Sequence, residues 1–258
     1  MKKSPCSPTS IKQPPIRLGF SLVELLVVIA IIGILATMAI PATSRWIDSS
    51  KSSKCMSNLR QCGVAMRAYA TDNNGDVLLI NNGGSPNTWS GILTNSGHLN
   101  DPRVAFCPTW KPFNVNPKTF SSTDSQQTYG ASLDNATDPF TRTSGNSNTV
   151  RYLRIVAIEK PSVYILLGDS IEGTPGSSAA SNPQRFIIRR ESGGNSGYFQ
   201  ARHANQGNVL MADGSCRSVT PTEYAKLRRD MWALTGASGA ATAPVVVFNK
   251  SGTSTNVP

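Results

Sequence analysis

The chain has 258 residues, 39% hydrophobic and only 16% charged, a length and balance that suit one globular domain plus an anchor. Its formal net charge is +10, yet no Lys/Arg run with interleaved aromatics occurs, which argues against a nucleic-acid-binding tract and leaves a basic excess suited to acidic polymers or anionic surfaces. No CxxC motif and no Cys/His set has zinc spacing, so a metal domain of the finger type is not expected.

Residues 1–19 hold four bases, Lys2, Lys3, Lys12 and Arg17, and no acid. Pro5, Pro8, Pro14 and Pro15 keep this leader from forming a helix. From Phe20 to Ile40 the sequence is apolar almost throughout, long enough to cross roughly 30 Å of hydrocarbon as a helix. The positive leader predicts a cytoplasmic N-terminus, with everything after Pro41 across the membrane. Glu24 is the single charge in the run. A carboxylate near lipid costs free energy and implies a function.

The predicted helix begins at Ser21, loosens or kinks at Pro41 and continues to about Thr71. Beyond Pro41, Cys55, Leu59, Cys62, Met66 and Tyr69 recur at helical spacing on one face, while Lys54, Arg60 and Arg67 lie mainly off it. At 1.5 Å per residue such a helix is a rod of roughly 75–80 Å. Asp72-Asn73-Asn74-Gly75 is a strong stop.

Residues 76–150 read as irregular, with a short strand at Val77–Ile80, a helical turn around Trp89, and a polar stretch from Phe120 to Thr149 that is mostly loop. Strand signals follow at 152–158, 163–167, 186–190 and 198–202. The segments 208–212 and 216–219 bracket Asp213-Gly214-Ser215 as a hairpin, and 222–234 forms a short helix. Residues 236–258 are rich in small residues, a flexible tail or an edge strand around Val245–Phe248. One apolar helix face must be buried, so the expected fold is α+β, with a small antiparallel sheet packed on the amphipathic half of the helix in a lollipop shape.

The basic leader ending in Gly19, followed by Phe20-Ser21-Leu22-Val23-Glu24-Leu25 and an apolar run, resembles the class III signal of type IV pilins and type II secretion pseudopilins. The resemblance implies cleavage after Gly19 by a prepilin peptidase, N-methylation of Phe20, and a role for Glu24 in assembly. It divides the chain into a leader (1–19), a transmembrane and assembly helix (20–41), its amphipathic continuation (42–75), an extracytoplasmic α+β domain (76–235) and a tail (236–258). The implied partners are the peptidase, other pseudopilin subunits, an inner-membrane assembly platform and membrane lipid. Assembly would give a periplasmic or extracellular fibre. The implied role is a structural subunit of a type II secretion pseudopilus. The alternatives are a type IV pilin for adhesion, motility or DNA uptake, and a membrane-tethered extracytoplasmic binding domain.

A second resemblance rests on Cys55 to Gly75, Phe106-Cys107-Pro108, Tyr129-Gly130, Leu167-Gly168-Asp169-Ser170 and His203-x9-Asp213-Gly214. These are similar to landmarks of a pseudopilin-like family ending in a His-x9-Asp-Gly motif. Relatives often carry a second His after Asp-Gly, where this chain has Ser215. A hairpin could bring His203 and Asp213 together as an acid/base or ion site. Without a nucleophile motif, however, the expectation is a turn at Asp213-Gly214 buttressed by His203, and no enzyme.

Loss of the leader would remove Cys6 and four bases, leaving 21 bases against 15 acids, a net +6, and four extracytoplasmic cysteines. Cys55 and Cys62 are two helical turns, about 10 Å, apart and cannot bridge each other. Each would need Cys107 or Cys216, so the sequence leaves two outcomes open, at least one disulfide between helix and later domain, which is the expectation, or four buried free thiols. No cofactor is expected; calcium at the acids Asp134, Asp138 and Asp169 stays open, although these do not form an EF-hand.

Overall fold

The computed structural model describes residues 20–81, 88–109, 115–133, 139–144, 150–176, 179, 182–189, 196–235 and 244–258, with backbone only at 38–45, 117 and 196. The leader with Gly19, Trp110, Asp134, Asp138 and residues 236–243 lie outside the described residues. Two compact units are present, Met1–Arg45 and Trp46–Pro258.

Helix α1 runs from Leu22 to Asp72, with helical backbone continuing through Pro41. Its start is closed locally: Ser21 Oγ accepts the Val23 N–H (3.4 Å), and Glu24 Oε2 accepts the Ser21 N–H (3.0 Å). Each side chain thus satisfies an amide that the helix cannot. The helix ends where expected. Asn74 and Gly75 take left-handed φ of 56° and 85°, and the Gly75 N–H returns to the Ala70 carbonyl at 2.7 Å.

After α1 come β1 (Asp76–Asn81), α2 (Trp89–Asn95), α3 (Ser122–Gln126), β2 (Gly130–Ser132), β3 (Thr141–Ser144), β4 (Val150–Arg154), β5 (Ile165–Gly168) and β6 (Ser170–Gly173). The chain continues through β7 (Ile187–Ile188), β8 (Ser196–Ala201), β9 (Gly207–Met211), β10 (Cys216–Val219), α4 (Pro221–Leu234), β11 (Val245–Asn249) and β12 (Ser254–Val257). Among the described residues these strands form three sheets, of order β1-β4-β3, β10-β9-β5-β2-β7 and β12-β11-β8-β6.

The α+β class therefore holds, but the single small antiparallel sheet does not. There are three sheets, and two are mixed, because β2 pairs parallel with β7 and β11 parallel with β8. Val245–Phe248 is neither the flexible tail nor the edge strand that its composition suggested: β11 lies inside the third sheet, between β8 and β12. Four consecutive buried residues explain this, since a strand covered on both faces reads as a continuous apolar run. The predicted β9–β10 hairpin and α4 are present, α4 capped by reciprocal bonds between Thr220 and Glu223.

In the larger unit the expected face of α1 is buried: Cys55, Leu59, Cys62 and Met66 are inaccessible and join one core with Val209, Leu210, Trp89 and Tyr129. Trp89 Nε1 donates to the Tyr129 carbonyl at 3.1 Å, so the indole is buried without an unpaired donor. In contrast, the apolar residues of α1 from Leu22 to Leu35 are exposed in the isolated chain, and Phe20 before them is 83% exposed. Among the described residues no helix is long and apolar enough to cross a membrane; the described side chains of the apolar run end at Thr37.

Truncating a buried Leu removes its transfer energy and leaves a cavity. Leu59→Ala should therefore cost about 2–5 kcal/mol in urea unfolding of the detergent-solubilised chain. Val64→Ala, on the 70%-exposed side of the same helix, should stay within about 0.5 kcal/mol.

Candidate functional site

Four buried side chains from distant parts of the sequence converge in the larger unit: Cys55, Cys107, Asp169 and His203. Cys55 lies on the buried face of α1. Cys107 follows the 3-10 turn Pro102–Ala105, and its amide donates to Gln184 Oε1 (3.0 Å). Asp169 is the single residue between β5 and β6, at the point where the chain leaves the second sheet for the third. His203 sits where the chain returns, after β8 of the third sheet and before β9 of the second.

The turn that presents His203 is tight. Its N–H and C=O bond the C=O and N–H of Gln206 (2.8 and 2.9 Å), with Ala204 and Asn205 at φ of 48° and 63°. Two left-handed central residues make it a primed hairpin turn. Asparagine tolerates that region; alanine holds it at a cost on the order of 1 kcal/mol.

One donor atom from each of the four residues lies within 4.8 Å of the other three. Cys55 Sγ donates to Asp169 Oδ1 (3.3 Å), His203 Nε2 is 3.4 Å from Asp169 Oδ2, and Cys107 Sγ is 3.3 Å from His203 Nε2. An outer ring supports them. The Asn208 N–H donates to Asp169 Oδ2 (2.8 Å), the Tyr129 hydroxyl donates to Cys55 Sγ (3.2 Å), and Thr109 Oγ1 lies 2.9 Å from Cys107 Sγ. Arg202 Nε is 3.9 Å from Asp169 Oδ1. Nδ1 of His203 has no hydrogen-bond partner among the described residues.

Burial disfavours charge on every one of these groups. At Asp169 it is outweighed by the hydrogen bond and charge of His203, then by Arg202 and the Asn208 amide, and the carboxyl lies below its usual range. At His203 burial is outweighed by Asp169 and Cys107, which push the imidazole up to about 9. The thiols part company. Burial holds Cys55 well above an ordinary thiol, whereas at Cys107 the hydrogen bonds of Cys55 and His203 and the charge of Arg202 overcome burial and lower it.

At the other end of the chain the features are a basic stretch, the Gly19-Phe20 junction and the first turn of α1 closed by Glu24. Residues 16–40 match the prokaryotic N-terminal methylation motif. The type IV major fimbrial protein FimA of Dichelobacter nodosus is 44% identical over 54 residues, 21% of this chain and 35% of its own length. The type IV major pilin protein PilA of Myxococcus xanthus (strain DK1622) is 40% identical over 58 residues, 22% of this chain and 26% of its own length. The chain thus spans about a third or less of the curated relatives it matches. No solved structure matches it. The chain is pilin-like and carries a prepilin-type signal.

Outside that signal the structure redistributes the predicted site residues. His203 faces Asp169 rather than Asp213. Asp213 is exposed and accepts the Ser215 amide (2.7 Å), and Gly214, at φ 87°, completes the β9–β10 turn. The described cysteines are free thiols, so the expected helix-to-domain disulfide is not formed here, although Cys55 does meet Cys107. Cys62 donates to the Val104 carbonyl (3.4 Å), and burial followed by the nearby Cys216 pushes it up. Cys216 donates to the Met56 carbonyl (3.6 Å). Sequence reasoning singled out each of Cys55, Cys107, Asp169 and His203 but not their meeting. The second, family-like set of landmarks was the one signal that held all four. His98, given no role from sequence, bonds Asp72 (2.9 Å) and packs edge-on against Tyr69, fastening the end of α1.

The two acids should separate cleanly by mutation. Asp169→Asn strips a buried cluster of its carboxylate and should cost about 3–5 kcal/mol. Asp213→Asn loses part of an exposed turn contact and should cost under about 1 kcal/mol. Urea midpoints of the two variants test the order.

Proposed function

We propose that the chain is a structural, non-enzymatic subunit of a pilin-type fibre, made as a membrane-inserted prepilin and matured by a prepilin peptidase between Gly19 and Phe20. The observation that carries this reading is the continuity of the methylation motif with a helix whose apolar residues are exposed in the isolated chain. A helix apolar on all sides needs an apolar environment. A bilayer supplies it before assembly, with the N-terminus cytoplasmic and the later domain periplasmic. Packed helices of other subunits supply it in the fibre.

Within that reading we assign the fibre to a type II secretion pseudopilus, supported by the resemblance that runs from Cys55 through Asp213-Gly214. A second reading, a type IV pilus subunit, is favoured by the similarity to two major pilins. Deletion of the gene separates them: failure of extracellular enzyme release supports the first, and loss of surface fibres with intact release supports the second.

Glu24 carries the assembly mechanism. In the isolated chain it closes the first helical turn. Cleavage creates a positive amine on Phe20, four residues before Glu24. In an apolar fibre core, an arriving subunit places that amine against the Glu24 of a docked neighbour. Opposite charges attract far more strongly in such surroundings than in water, and leaving either unpaired costs several kcal/mol. The pair therefore selects one axial register. Glu24→Ala should still mature to an N-terminus at methylated Phe20, by intact mass and N-terminal sequencing, but should be lost from sheared fibres. Wild-type incorporation of that variant would rule out charge pairing, and a mature N-terminus beyond Ala42 would rule out the prepilin reading.

A further inference from the structure

The convergence of two sulfurs, one imidazole nitrogen and one carboxylate oxygen is the donor set of a closed, four-coordinate transition-metal site. Zinc bonds of about 2.3 Å to sulfur and about 2.0–2.1 Å to nitrogen and oxygen require ligand atoms roughly 3.3–3.8 Å apart at the edges of a tetrahedron. Cys107 Sγ lies 3.3 Å from His203 Nε2, Cys55 Sγ and His203 Nε2 lie 3.3 and 3.4 Å from the Oδ1 and Oδ2 atoms of Asp169 respectively, and one donor atom from each of the four residues lies within 4.8 Å of the other three.

We propose that Cys55, Cys107, Asp169 and His203 bind a structural zinc ion that fastens α1 to the junction of the second and third sheets.

Four further observations fit. All four ligands are buried, as in structural rather than catalytic sites, which keep one position open to water. Two thiolates and a carboxylate carry three negative charges; a divalent ion and the adjacent Arg202 guanidinium balance them, which a site without water access requires. The Tyr129 and Thr109 hydroxyls are placed to donate to the two sulfurs, and the Asn208 amide donates to the carboxylate, an outer shell of the kind that orients metal ligands. The left-handed Ala204 beside His203 is a local cost held at the one turn that aims the imidazole. Thiolates and imidazole select against calcium and magnesium, which take oxygen, and the flexible tetrahedral preference of zinc matches a mixed set. A finger motif draws its ligands from close sequence pairs, whereas here each comes from a different part of the chain.

The test uses the full chain, extracted from membranes in mild detergent without chelator or reductant. Metal analysis should return about one zinc per chain, and Cys107→Ser and His203→Ala should each bring it close to zero. The double variant Cys62→Ser/Cys216→Ser, which leaves the four ligands intact, should keep the metal. Tyr129→Phe, outside the ligands, should weaken zinc by about tenfold in competition with a chelator. In case the ligand variants misfold, the wild-type chain is stripped and titrated with cobalt. A tetrahedral site with sulfur ligands shows intense visible d–d bands and thiolate-to-cobalt charge transfer. Peptide mapping of the unreduced sample decides the rival outcome. A Cys55–Cys107 disulfide in the bulk of the protein, or no metal with both thiols free and no tetrahedral cobalt spectrum, overturns the proposal.

Discussion

A carboxylate without access to water is the constraint on which the larger unit depends. Asp169 is 0% exposed. It keeps its charge only because an amide of β9, a thiol of α1, an imidazole and a guanidinium are brought to it from separate elements. Each donor is at the same time a tie. Cys55 ties the long helix, Asn208 ties the second sheet, and His203 and Arg202 tie the end of β8. Removing the carboxylate would leave these groups facing one another across a dry space, and the cost of that arrangement exceeds any single contact. The apolar core around it supplies the bulk of the stabilisation, but the polar knot determines which elements meet.

The chain therefore combines two opposite solutions to burial. In the larger unit α1 hides one stripe, Cys55 to Ala70, and leaves Val64 and Arg67 on its wetter flank. In the first unit the described apolar residues from Phe20 to Leu35 are exposed in the isolated chain. That difference follows from sequence spacing: an interrupted apolar pattern buries one stripe, and an unbroken one is apolar on all sides. In the fibre subunit proposed above, one property would hold the folded domain and the other would join the fibre.

Much of this was legible from residues alone. The helix, its terminator, its buried stripe, the β9–β10 hairpin and α4 all carry local signals: period, Asn-Gly punctuation, and the Thr220–Glu223 cap. What escaped was non-local. Thr141–Ser144 has no apolar alternation, and it is a strand because β4 offers it an edge. Val245–Phe248 reads from composition as a flexible tail or an edge strand, and its parallel pairing with β8 makes it an interior strand instead. The candidate site escaped for the same reason. His203 and Asp213 share a motif, but β9 lies between them, and the pairing of β5 with β9 within the second sheet brings Asp169 to the histidine instead. Spacing along a chain finds sites whose ligands share an element; it does not find those assembled by topology.

The position of β11 has a consequence for the order of events in the life of the molecule. The third sheet runs β12-β11-β8-β6, so one of its two interior strands, β11, is made well after the other, β8. Lys250, in the turn after β11, also reaches Asp48 on α1 at 2.9 Å. The strand that completes the sheet thus becomes available only after residues 245–257 have been synthesised. Until β11 follows, β8 is paired on one side only, by β6, so β11 acts as the latch that completes the third sheet.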